Sequence, residues 1–252
     1  MHVVGVVETF GLSTVEERTA REQEATERLD AFADRAAAAG VDCETDRRAG
    51  FADRELLAAV DDHDADLVVM GTHGRTGVER FVVGSIAAQV VRHAPVPVLT
   101  TAADVEWDVE TVLVPTDGSS YAEEAADHAF DLAARYDATV HAVSVVDQDA
   151  VGFDVRSTRL TEALREQAQA AVDRLVARAE ERAVVASGTV VDGHAATEIL
   201  ETVETADAGL VVLGTHGRSG VRRLLLGSVT EVVVRGATVP VLSVPPTDRR
   251  EE

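Results

Sequence analysis

Residues 67–99 read LVVMGTHGRTGVERFVVGSIAAQVVRHAPVPVL, and residues 210–242 read LVVLGTHGRSGVRRLLLGSVTEVVVRGATVPVL. The two stretches align over 33 positions without a gap and with every loop glycine in register, so one structural unit has been duplicated within the chain. Residues 102–110 (AADVEWDVE), between the copies, are short and acidic, as a linker is. The repeat divides the chain into a first module over 1–102 and a second over 108–246.

Working outward through the second copy, continuous β-branched runs alternate with longer stretches of helical periodicity. That alternation signals βα units around a buried parallel sheet. Strands are expected at 111–116, 139–146, 184–191, 209–213 and 238–244, with four helices between them. The segment 157–183 sets Leu160, Leu164, Ala168, Ala171, Leu175 and Ala179 on one stripe, a core-facing helix side. Ser120 with Glu123, and Ser228 with Glu231, have capping-box spacing and predict the starts of the first and last helices. The first copy matches only from its second strand onward, where HVVGVV (2–7) aligns with HAVSVV (141–146). It has no counterpart of residues 111–140, VPTDGS included, and so lacks a first strand and helix. The expectation favours a start upstream of Met1 over a truncated module, because in a doubly wound sheet the missing strand is central and its loss leaves backbone groups unpaired.

Composition narrows the partners. The chain has 252 residues, enough for two ordinary domains, with 45 acidic against 23 basic residues and a net charge of -22. Every basic residue is Arg, since the chain contains no Lys. Such a surface repels nucleic acid and anionic membranes. It is best tolerated where salt shortens the Debye length to about 3 Å, which points to a halophilic setting, with an acidic mesophilic protein as the alternative. No apolar run approaches the roughly 20 residues needed to span a bilayer. The amino terminus lacks a secretory pattern, and the lone Cys43 forms no intrachain disulfide. A cytoplasmic location is expected.

The chemistry gathers in the second copy at Gly214-Thr215-His216-Gly217-Arg218-Ser219-Gly220, followed after 221–226 by Gly227-Ser228 and a helix. Glycines let backbone approach a ligand closely. Amides of a glycine-rich loop and of a helix start both favour an anion such as phosphate. Neither a Walker A loop nor G-x-G-x-x-G is present. Phosphate charge would be met by backbone dipoles, the Ser228 and Thr230 hydroxyls, a divalent cation and Arg218, Arg222 or Arg223. Blander readings stand beside these. The glycines can serve turns alone, Ser228 can be a plain N-cap, and Arg222-Arg223, replaced by Glu79-Arg80 in the first copy, can be solvated surface. His73 and His216 occupy equivalent loop positions with no nucleophile nearby in sequence, which favours loop hydrogen bonding over catalysis. Asp117 can reach a phosphate-bound Mg²⁺ or cap the following turn.

The pattern G-x2-G-x9-G-[ST], carried by Gly214, Gly217, Gly227 and Ser228 and again by Gly71, Gly74, Gly84 and Ser85, resembles the ATP-binding signature of universal stress proteins. With VPTDGS at the first strand of the second copy, the resemblance covers nearly the whole chain. It implies two Rossmann-like modules of the adenine nucleotide alpha hydrolase-like kind, built on a five-stranded parallel sheet of order 3-2-1-4-5, with the first module lacking its first strand and helix. It also implies ATP, with Mg²⁺ or Mn²⁺, across the carboxyl ends of the strands. Carried over by motif, Pro115, Thr116 and Asp117 border adenine and ribose, and Val145 meets adenine through its backbone. Gly214 to Gly220 (Thr215, His216, Gly217, Arg218 and Ser219 among them), Gly227, Ser228, Val229 and Thr230 hold ribose and phosphates. The first copy keeps Val6, Gly71, Gly74, Arg75, Gly77, Gly84 and Ser85 but has no Pro-Thr-Asp wall, so its site is expected to be weak or empty. No metal ligand or catalytic residue is assigned.

The resemblance also implies pairing of modules through their last strands, here 97–101 and 239–244, giving an intramolecular pseudo-dimer, with a homodimer of two chains as the alternative. The expected function is an ATP-binding stress-response module that senses adenine nucleotide and signals to a protein partner, with little hydrolysis because the sequence offers no Lys clamp or evident base. A slow Mg-dependent ATPase using Asp117 or His216, and a scaffold that binds no nucleotide, are the alternatives.

Overall fold

A computed structural model of the chain describes residues 1–8, 14–72, 84–102, 107–147, 158–217 and 226–247. It divides into two compact units, Met1–Asp66 and Leu67–Glu252.

The first unit comprises β1 (His2–Val7), α1 (Val15–Ala38), β2 (Glu44–Ala49) and α2 (Ala52–Asp62). Strands β1 and β2 form a two-stranded parallel sheet, His2 opposite Glu44 and Val7 opposite Ala49. Helix α1 begins with a complete capping box: the Glu17 amide donates to Thr14 Oγ1 (3.1 Å) and the Thr14 amide to Glu17 Oε2 (3.2 Å). Its buried residues Ala25, Leu29 and Ala36 face the sheet. Gly5 allows that approach, because a Cβ there would lie 3.2 Å from Leu29 Cγ. On β2, Asp46 Oδ2 accepts from Arg48 Nε (2.7 Å) and lies 2.9 Å from His63 Nε2, while Arg48 also pairs with Asp62 at 2.8 Å. The His63 and Arg48 hydrogen bonds hold the Asp46 carboxyl below its ordinary pKa.

The second unit comprises β3 (Val68–Gly71), α3 (Ser85–His93), β4 (Val98–Thr101), β5 (Thr111–Pro115), α4 (Ser120–Tyr136), β6 (Thr139–Val146), α5 (Thr158–Glu181), β7 (Ala186–Asp192), α6 (Ala195–Thr205), β8 (Leu210–Gly214), α7 (Ser228–Gly236) and β9 (Val241–Val244). One seven-stranded sheet runs β3-β4-β9-β8-β5-β6-β7. Its five strands from the second copy, read from β7, stand in the order 3-2-1-4-5 expected of a doubly wound module. All pair in parallel.

Both faces of this sheet are buried, which is why its strands read as continuous Val and Leu runs. Val112, Val114, Val140, Ala142 and Val212 pack under α4 and α5 against Ala125, Ala129, Phe130 and Leu175. Leu113, Val143, Val211 and Leu213 pack on the other face against Ile199 and Val203 of α6 and Val233 and Val234 of α7. The predicted α5 stripe is buried at Ala168, Ala171, Leu175 and Ala179, while Leu160 and Leu164 remain half-buried.

Three expectations change in detail. The first helix of the second copy is capped by Ser119, whose side chain accepts from the Ala122 amide at 3.3 Å, and Ser120 is its first residue. Likewise α7 is capped by Gly227 with no side-chain hydrogen bond, so Ser228 is inside the helix and makes no capping box with Glu231. In both places the chain enters helical geometry one residue away from the serine that the spacing selects. Third, the last strands do pair, antiparallel through Val98–Ser243, Leu99–Leu242 and Thr100–Val241, but β1 and β2 form a sheet of their own. The ladder needs a strand between the second and fourth of a module, and the first copy has none among the described residues. The compact units part at 66/67, and β4 of the first copy is hydrogen-bonded to β9 of the second.

Candidate functional site

At the carboxyl ends of β5, β6 and β8 lies a cleft of about 360 Å³. Its walls include Pro115, Thr116 and Asp117 after β5, Val145 on β6, Gly214, His216 and Gly217 after β8, and Gly227 to Thr230 at the start of α7. Twelve of the residues singled out in the second copy fall within the described chain, and eleven line this one cleft. The twelfth, Thr215, is buried beside it; its amide donates to Val244 O (2.9 Å) and its hydroxyl sits 2.9 Å from His216 Nδ1. Arg218, Ser219 and Gly220 lie outside the described residues, as do Gly74, Arg75, Gly77, His73 and the Arg222-Arg223 pair.

The turn after β5 is shaped by its own side chains. Thr116 Oγ1 accepts from the Gly118 amide (3.1 Å), Asp117 Oδ1 accepts from the Ser119 amide (2.9 Å), and Gly118 takes a left-handed φ of 76°. Asp117 therefore caps its turn. Its other oxygen, Oδ2, faces Gly217, where a Cβ would come within 2.8 Å of it. The glycine thus lets the loop after β8 close against Asp117. Gly214 is similarly confined: a Cβ there would meet Tyr121 O at 3.0 Å and His216 O at 3.2 Å.

Thr230 is buried and donates its hydroxyl to Gly214 O at 2.9 Å, so it ties α7 to the end of β8. The Gly227 amide donates to Thr215 O at 3.0 Å, the second tie between loop and helix. Because Gly227 brings no side chain to cap α7, the amides of the first helical turn open on the cleft without a capping oxygen. His216 tilts against Tyr121, with ring centroids 5.9 Å apart. Among the described residues no three His, Cys, Asp or Glu side chains gather as a metal site.

Five lining residues were missed: Ala122, Val143, Ala195, Ile199 and Leu213. Strand alternation carries a signal for Val143, two residues before Val145 on the same face. Ala195 and Ile199 lie one turn apart on α6, and nothing local marks them as lining a cleft.

In the first copy, Gly84 caps α3 without a side-chain hydrogen bond and donates its amide to Thr72 O (2.8 Å), repeating the Gly227 arrangement, and Ser85 follows it. Gly71 closes β3 opposite Thr101. Val6 belongs to β1 of the first unit.

A doubly wound α/β protein, with a cleft at the carboxyl edge of its sheet beside a glycine-rich turn into a helix, is the class these features define. Residues 2–101 and 109–245 each match the universal stress protein family, and the chain belongs to that family as a tandem member. It is 40% identical over 136 residues to universal stress protein MJ0531 of Methanocaldococcus jannaschii, covering 53% of this chain and 80% of that one. It is 35% identical over 192 residues to universal stress protein Rv2005c of Mycobacterium tuberculosis, covering 71% of this chain and 62% of that relative's length. The crystal structure of a universal stress protein from Archaeoglobus fulgidus is similar in fold, with a TM-score of 0.75 at 20% identity over 98% of this chain and 86% of that one. No described helix is long and apolar enough to cross a membrane.

Proposed function

We propose that the second module, 108–246, binds ATP or a related adenine nucleotide with Mg²⁺ or Mn²⁺, and that the chain works as a cytoplasmic sensor in stress response rather than as an efficient hydrolase. The observation that supports this most is the cleft itself. Its apolar side, Val143, Val145, Ala195, Ile199 and Leu213, suits a planar base, and its glycine-rich side ends on the uncapped first turn of α7. An anion there meets backbone amides and the positive end of a helix dipole. Ser228 and Val229 stand nearest that role, since the Thr230 hydroxyl already donates to Gly214 O. A divalent cation would shield the phosphates from Asp117 and from the net charge of -22.

Titration of the purified chain with Mg-ATP, Mg-ADP, AMP and cyclic AMP in high salt tests the reading. One site per chain is the expected result, two sites would refute the asymmetry between modules, and no binding would overturn the proposal. Replacing Gly217 is an ambiguous probe, because any Cβ also displaces Asp117.

A slow Mg-dependent ATPase is favoured by one observation only, Asp117 Oδ2 facing Gly217. Under that reading Asp117→Asn abolishes multiple-turnover phosphate release; under the sensing reading, release is slow and unchanged. The first module, 1–102, is proposed to bind nucleotide weakly or not at all. The antiparallel β4–β9 ladder supports an intramolecular pseudo-dimer. The acidic, lysine-free composition supports a halophilic setting, for which the melting temperature should rise with KCl.

A further inference from the structure

His2 and His141, aligned in HVVGVV and HAVSVV, meet different partners. His2 stands opposite Glu44 in the β1–β2 ladder, its Nδ1 3.5 Å from Glu44 Oε2. His141 stands opposite Ser187 in the β6–β7 ladder, and its ring lies between two hydroxyls: Ser187 Oγ is 2.9 Å from Nδ1 and Thr189 Oγ1 is 3.1 Å from Nε2. A neutral imidazole donates through one nitrogen and accepts at the other, so one of these hydroxyls donates to the ring. Burial lowers the His141 pKa, which keeps the ring neutral and able to take a proton near pH 7. Ser187 and Thr189 are both exposed. The strand itself adds a further donor. Val140 donates its amide to Val185 O, and Gly193 donates its amide to Val146 O, so the odd-numbered residues of β7 turn their backbone groups toward β6. The amide of Gly188, next after Ser187, therefore points away from β6, at the end of the seven-stranded sheet. Ser187 and Gly188 border a groove of about 370 Å³ together with Gln169, Val172, Asp173 and Val176 of α5.

We propose that Ser187 is a nucleophile with His141 as its base, and that it takes acyl groups from uncharged activated esters. Thr189 is the positioning residue. It accepts from Nε2–H and so leaves Nδ1 to receive the Ser187 proton, the arrangement of nucleophile, base and orienting group that acyl transfer uses. The bond from Ser187 Oγ to the ester carbonyl carbon forms as the hydroxyl proton passes to Nδ1. The carbonyl oxygen becomes an oxyanion, which the Gly188 amide is turned to meet. As the carbonyl re-forms, the bond to the leaving oxygen breaks and that oxygen takes the proton from Nδ1. An acyl-serine and a free alcohol or phenol result, with no change of oxidation state. An uncharged donor suits the groove because Asp173 and Glu180 stand on it and the chain carries a net charge of -22. The first copy has a carboxylate, Glu44, where the second has the Ser187 hydroxyl, so the activity belongs to the second copy alone. None of these residues lines the cleft at the carboxyl ends of the strands, and the proposal is independent of nucleotide binding.

The test treats the full chain with p-nitrophenyl acetate, follows release of nitrophenol, and locates the acetyl group by mass spectrometry of a digest. Because the chain contains no Lys, a common competing acceptor is absent. Acetylation of Ser187 is expected, with none at that residue in Ser187→Ala and a rate at least about tenfold lower in His141→Gln. Thr189→Val should also slow the reaction, and Thr189→Ser, which restores a hydroxyl, should recover it. Ser187→Ala and Thr189→Val leave the histidine in place, so they decide the matter even if His141→Gln is too unstable to purify. An unmodified Ser187, or a Ser187 acetylated at the same rate in Thr189→Val and His141→Gln as in the parent chain, would overturn the proposal.

Discussion

Leu210 and Val212 have no exposed surface, whereas Leu67 and Val69, which align with them residue for residue, stand about half open to solvent. Ser243 and Thr100 are another aligned pair, and both are buried where β4 and β9 meet. The same short apolar strand is therefore a core element in one copy and a surface in the other. What differs is the neighbour beside each strand among the described residues: β8 lies against β5 and under α4, whereas β3 pairs only with β4. Burial is a property of the assembled neighbourhood, and sequence identity between repeats does not carry it over.

The sharpest way to break this comparison is to place one substitution at both aligned positions. Val212→Asp buries an unpaired charge and should destabilise by about 4 kcal/mol or more, whereas Val69→Asp should stay within about 0.5 kcal/mol. Equilibrium denaturation at fixed KCl measures both, and equal costs would show that β3 is covered in solution. In the same assay Leu210→Ala should cost about 2–5 kcal/mol and Leu67→Ala far less.

A second experiment sharpens the comparison at the cleft. Ala195→Trp fills the apolar side of the second-copy site, and nucleotide affinity should fall at least about tenfold, about 1.4 kcal/mol, with little change in melting temperature. If calorimetry then still finds a full site, the nucleotide binds elsewhere, the first module included.

Smaller effects separate the copies by pH. His141 lies between Ser187 (2.9 Å) and Thr189 (3.1 Å), and burial lowers its pKa below the ordinary histidine value. The unfolded chain takes up the proton first, so this group's contribution is full above about pH 6.5 and is lost as pH falls through that value toward the folded pKa. His141→Gln should flatten that limb of the stability curve. On β2 of the first copy, Asp46 has a lowered pKa, and its contribution is present above about pH 3.9 and lost as pH falls through the folded value. Asp46→Asn should therefore act only on the acid limb. The smallest effect belongs to the Arg92–Glu231 pair, 4.0 Å apart and partly exposed, joining α3 of one copy to α7 of the other. Arg92→Ala should change stability by less than about 1 kcal/mol.

Much of the cleft was legible because its residues are special in themselves. Glycines at 214, 217 and 227 and the Thr-Asp-Gly turn at 116–118 stand out in any sequence; Gly118 takes a left-handed φ, and a Cβ at 214, 217 or 227 would crowd Tyr121 O, Asp117 Oδ2 or Thr215 O. Ala195, Ile199 and Ala122 were not legible, since an alanine or isoleucine facing a cleft looks like one facing a core. The cap residues slipped by one position at Ser119 and Gly227 because S-x-x-E spacing records what a serine can do, while the entry of the chain into the helix decides which residue does it.

Duplication, the βα alternation and the glycine-rich turn into α7 were settled by the amino-acid sequence, because each follows from local periodicity or from a residue type with a narrow conformational role. The tertiary structure alone decided that Asp117 meets Gly217, that β4 joins β9, and that an identical Leu-Val-Val run is buried at β8 and open at β3. Those outcomes depend on which distant segments come together, and no short stretch of sequence contains that information.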